Sequence, residues 1–158
     1  MAKPTPQGGL VIRYDYLWLS EERKGREEGV KLRPCAIVVA IQATATEPLR
    51  VVLCGITHSA PADEGDAIRV PPAVKAHLGL DRDKSRIVTN EVNLVDWDDP
   101  GIVPVTPGGA WAYGFLPPAL AEAVRERIVA QARRGILPTI DRPRIEKRRS
   151  TRQRRERL

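Results

Sequence analysis

The chain has 158 residues, of which 42% are apolar, enough for a core and against wholesale disorder. Its net charge of +6 is local: Asp141 to Leu158 holds nine basic and three acidic residues, while residues 1–140 balance at 17 against 17. A neutral single domain with a cationic tail is expected, which argues against the domain itself being a basic nucleic-acid clamp.

In chain order, residues 1–8 carry two prolines and are expected to trail. Gly9 to Leu19 places Leu10, Ile12, Tyr14, Tyr16 and Trp18 on one parity, the pattern of a half-buried strand. Ser20 to Leu32, rich in charge and holding two glycines, predicts a solvated loop, and connections of this length are often functional. Arg33-Pro34 then opens an interior strand, since proline cannot donate within a ladder.

Cys35 to Ile41 is apolar on both parities, so a strand covered on both faces is predicted. Leu49 to His58 is a second interior strand, with Gly55 permitting a bulge or a close approach. Ser59 to Asp66 is loop, Ala67 to Val70 a short strand, and Pro71 to Leu78 a short helical turn stopped by Gly79. Ser85 to Trp97 is strand-like, with a slip of parity that predicts a kink near Asn90 to Asn93.

Ile102 to Val105 and Ala110 to Phe115 are predicted strands. Helix 117–134 follows, with Leu120, Val124, Ile128 and Ala132 making its apolar stripe and Gly135 its stop. Many short strands and a terminal helix predict an α+β, mainly β fold: one small, strongly bent antiparallel sheet or barrel over 9–140, followed by a basic tail over 141–158.

No apolar run approaches the roughly 20 residues that span a bilayer. The N-terminus lacks the apolar segment of a signal peptide, so a cytoplasmic location without membrane contact is expected. Cys35 and Cys54 are read as buried and reduced. With only His58 nearby they do not make a metal site, and no cofactor is expected.

Few residues invite chemistry. Arg33, between charged loop and buried strand, can reach a phosphate bidentately or pair with Glu27 or Glu28. Thr57 can bond a phosphate oxygen, and His58 can shuttle protons, or both can be ordinary strand-end residues. Asp96, Asp98 and Asp99 border a turn, and Glu91 and Asn93 read as a satisfied polar face. Tail residues including Arg142, Arg148 and Arg149 make a flexible cationic arm suited to nucleic acid or to an acidic partner.

The order Tyr16-Leu-Trp18, Glu27-Glu-Gly29, Arg33-Pro34-Cys-Ala-Ile-Val-Val39 and Val51-Val-Leu-Cys-Gly-Ile-Thr57 resembles the MazF/PemK family of toxin endoribonucleases. The likeness covers about residues 9 to 97. It implies a small SH3-like barrel of the CcdB/MazF type with a terminal helix, a homodimer, a cognate antitoxin and metal-independent cleavage of single-stranded RNA.

Arg33 and Thr57 match the family's arginine and strand-end threonine, and Glu28 the acid found five residues earlier in some members. On that reading Arg33 and Thr57 stabilise charge on the phosphorane, and Glu28 or His58 deprotonates the 2′-hydroxyl. Trp18 is the candidate to stack a base and Lys31 to contact RNA, and Arg148 and Arg149, in the tail outside the family core, are expected to anchor RNA or an acidic antitoxin segment. The sequence departs from the family at Cys54-Gly55, at His58 where serine is common, and in a 20–32 loop without a Gly-Ser pair. A non-catalytic module, or a gyrase-directed toxin on the same fold, is the alternative.

Overall fold

The structure is a computed structural model that describes residues 2–142. It is mainly antiparallel β-sheet with a few helices. The central pair is β2 (Arg33–Ile41) and β3 (Arg50–Thr57). β1 (Leu10–Tyr14) lies against β2, with Tyr14 opposite Arg33. The far edge of β1 is shared by β7 (Ile102–Val103) and β8 (Ala112–Phe115).

β3 is shared in the same way. Its first half pairs with β6 (Val92–Asp96) and its last residues with β5 (Arg86–Val88), which pairs in turn with β4 (Ala67–Arg69). The kink expected near residues 90–93 is thus a change of strand. The pairing order β4-β5-β3-β2-β1-β7 does not close on itself.

The double-sided apolar pattern of the central strands has a direct structural cause. Cys35, Ile37, Val51 and Leu53 enter one core with Leu10, Ile12, Tyr14, Tyr16 and Val95. Ala36, Val38, Cys54 and Ile56 enter a second core on the opposite face with Val11, Ile87, Val124 and Ile128. The short helix expected before Gly79 is α2 (Pro72–Leu78), while Val124 and Ile128 belong to α3 (Pro118–Arg133), which agrees with the helix read from the sequence. The cysteines therefore face opposite cores. Both are free, and burial pushes both thiols well up, leaving them without the thiolate that reactivity requires.

Three expectations are corrected. Residues 3–6 do not trail: Lys3 Nζ donates to the Trp97 carbonyl, Trp97 Nε1 donates to the Pro4 carbonyl at 3.1 Å, and Pro6 is buried. The charged 20–32 stretch is not all loop, because its start forms α1 (Leu19–Arg23). Arg142 is not part of a flexible arm. A further strand, β9 (Thr139–Asp141), runs parallel to β6, and Arg142 continues it by donating its backbone N–H to the Leu94 carbonyl at 2.9 Å. Its side chain is 1% exposed by residue, driven into the fold by bonds that hold the end of β1. Arg148 and Arg149 lie outside the described residues.

Candidate functional site

The site begins where β1 stops being a strand. Beyond Tyr14 the backbone bonds side chains instead of a neighbouring strand. Asn93 spans Leu17, accepting its N–H at 3.0 Å and donating to its carbonyl at 2.8 Å. The Asp15 carbonyl accepts from Arg142 at 2.9 Å. Glu91 and Glu21 then accept the backbone N–H groups of Leu19 and Trp18 at 3.1 Å each, satisfying donors at the entry to α1. This sequence of side-chain bonds turns Trp18 back over the sheet.

Trp18 lies on Gly55. A Cβ at position 55 would stand 2.7 Å from the indole Cη2, so only glycine leaves room for the ring where it rests. Tyr16 supports it at 4.6 Å between ring centroids. The Arg33 guanidinium stacks on Trp18 with its carbon 4.8 Å from the ring centroid, a cation–π contact. Arg33 is half-buried, and its Nε is buried without a hydrogen-bond partner. No carboxylate among the described residues pairs with it, so the expected alternative of a salt bridge to Glu27 or Glu28 is not formed.

Thr57 joins this group through strand register. Cys35 faces Gly55 across the β2–β3 ladder, so Arg33 and Thr57, each two residues farther on, come abreast at the ends of their strands. Strand alternation gives both the face of Cys35 and Gly55, the face on which Trp18 lies. The Thr57 hydroxyl accepts the Ser59 N–H at 3.2 Å and keeps its own proton to donate. Arg33, Thr57 and Trp18 thus combine a guanidinium, a hydroxyl and an indole at one end of the sheet.

The other sequence candidates stand differently. His58 is engaged elsewhere: its Nε2 is 2.9 Å from Asp81 Oδ2, and its Nδ1 lies 3.0 Å from the Lys84 carbonyl and 3.3 Å from Ser85 Oγ. Asp81 also takes the buried Lys75 ammonium at 2.8 Å, a bond that holds its carboxyl below the usual range. His58, Asp81 and Asp83 have the donor types of a cation site, but all three are exposed and Asp81 is already neutralised by Lys75. Glu28 and Lys31 are exposed on the loop that enters β2. Glu28 lies between the Glu27 carbonyl, which accepts from Arg142 at 3.3 Å, and Gly29, where a Cβ would strike the backbone of Asp15 and Tyr16.

Sequence reading missed the groups that hold this site. Arg142 bonds Asp15 through Oδ2 and carbonyl, Asn93 through Oδ1, and stacks on the Tyr14 ring at 5.1 Å. Its place among tail arginines hid it, and the one available signal was Thr139-Ile-Asp141, a polar–apolar alternation just before it. Burial is the main cause that raises the Glu91 carboxyl, opposed by its bond to Leu19. Burial and the Glu91 charge push the neighbouring Tyr16 phenol well up. Comparison of the chain with family models, curated proteins and solved structures finds no match.

Proposed function

We propose that this protein is the toxin of a toxin–antitoxin pair, a metal-independent endoribonuclease on an SH3-like barrel that acts in the cytoplasm as a homodimer. The observation that carries the reading is the unpaired Arg33 guanidinium stacked on Trp18 and abreast of Thr57. A half-buried guanidinium with an orphaned Nε gains from an anion, and a fork of N–H donors matches phosphate.

Single-stranded RNA supplies that phosphate together with its own nucleophile, the 2′-hydroxyl. In-line attack builds negative charge on the non-bridging oxygens, where Arg33 and the Thr57 hydroxyl act as donors already in place. Trp18 offers its remaining surface to a base. Of the two bases considered, Glu28 is favoured, because both ring nitrogens of His58 are engaged. The products are a 2′,3′-cyclic phosphate and a 5′-hydroxyl. A substrate with 2′-O-methyl groups therefore binds but is not cut, whereas cleavage of that substrate would refute 2′-hydroxyl attack.

A second reading, a non-catalytic RNA-binding module, draws on Glu28, the favoured base, which is exposed on its loop with no side-chain bond among the described residues to hold it at the site. It predicts RNA binding that depends on Arg33 with no cyclic-phosphate product at any protein concentration.

A further inference from the structure

The row that contains Arg33 and Thr57 continues across the sheet. Thr57 faces Arg86 in the β3–β5 pair, and Arg86 faces Arg69 in the β4–β5 pair. The residues alternating with them, Ile56, Ile87 and Ile68, pack into or against the core on the other face. Arg86 and Arg69 therefore share the face of Thr57 and Arg33, opposite the face covered by α3. In strand order the row reads Tyr14, Arg33, Thr57, Arg86, Arg69.

Neither the Arg86 nor the Arg69 side chain has a hydrogen-bonding or ion-pair partner among the described residues. Like charges directly opposite on neighbouring strands are destabilising. The Arg86–Arg69 pair thus costs the fold and gains from an anion laid across it. From β2 to β5 is two strand spacings, about 10 Å, and β4 is one spacing farther. That puts three arginine residues in one row transverse to the strands, with a threonine between the first two. Evenly charged, linear and flexible, a phosphodiester chain is the partner this line fits.

We infer that Arg86 and Arg69 form a backbone-binding track that carries single-stranded RNA away from the Arg33–Thr57 pair across β5 and β4. This rests on the RNA reading above and adds direction to it: the strand crosses the sheet edge on the β4–β5 side, with Trp18 at the other end. The contacts are to phosphate, so they strengthen binding without selecting sequence.

The test measures binding of a short fluorescent 2′-O-methyl RNA to the full chain as a function of salt. Parent, Arg69→Ala, Arg86→Ala, the double variant, Arg33→Ala and Arg134→Ala are compared. Arg134 is an exposed arginine at the end of α3 and controls for net charge. Each track substitution is expected to weaken binding several-fold and to lower the salt slope by about 0.7, the double by about twice that. Arg86→Lys retains most of the slope, and thermal unfolding does not fall in the alanine variants.

Track variants that lose no more than Arg134→Ala, while Arg33→Ala loses binding, overturn the track and leave the RNA reading standing. A parent that binds no RNA overturns both.

Discussion

Arg33 makes its stacking contact with Trp18 in the absence of any described counter-ion. Arg33→Ala and Thr57→Ala are expected to lower the RNA cleavage rate at least about 100-fold each. Their thermal unfolding should remain near that of the parent, since neither removes a described ion pair and the Thr57 hydroxyl makes one exposed bond. Gly55→Ala tests the platform. Its new methyl drives Trp18 off the sheet towards solvent, so a red shift in tryptophan emission and weaker RNA binding are expected, with about 1–3 kcal/mol of lost stability. Unchanged emission and affinity would show that the indole does not depend on this glycine. Arg142→Ala removes the buried guanidinium that bonds Asp15 and Asn93 and is expected to cost about 3–5 kcal/mol in chemical denaturation.

At the scale of elements, the end of β1 depends on β6 and β9. Glu91 and Asn93 bond the segment after Tyr14, and Arg142 locks it to the Glu27 carbonyl. The groups facing Glu91 are Tyr16, Glu21 and Arg23, with the Leu19 N–H as donor. Since the Glu91 carboxyl is raised in the fold, the folded state holds a proton that the unfolded chain has released just above the ordinary carboxylate range. The stability contributed by this group is therefore present at low pH and lost as pH rises through the raised value. Glu91→Gln keeps an acceptor for Leu19, so the parent-minus-variant difference in unfolding temperature should fall as pH rises from about 4.5 towards 7. A difference flat with pH would contradict this.

The elements were legible where local pattern and packing agree. Double-sided apolar runs gave β2 and β3, and the four-residue stripe gave α3. β9 was not legible because three residues paired in parallel to a distant strand leave almost no local signal. The candidate site was legible in Arg33, Thr57 and Trp18, which adjoin elements with clear patterns. It was not legible in Arg69 and Arg86, because one closes and the other opens a three-residue strand and only register puts them in the row.

At the scale of the molecule, the described residues form one sheet with a core on each face and one interrupted end. No helix among them is long and apolar enough to cross a membrane. The charge surplus falls entirely beyond Arg142: residues 143–158 hold eight basic and two acidic residues, which equals the net +6 of the chain. Deleting 143–158 spares Arg142 and is expected to lower RNA affinity and its salt slope without abolishing either. Affinity lost entirely would assign RNA binding to the tail instead of the Arg33 face.

The most direct test of the central claim is incubation of the purified parent and Arg33→Ala with a long single-stranded RNA in EDTA, with the ends of any fragments identified. Cleavage by the parent alone, leaving 5′-hydroxyl and cyclic-phosphate ends, is the predicted result. Intact RNA with a folded parent across substrates covering all short sequence motifs, or equal cleavage by Arg33→Ala, would contradict it.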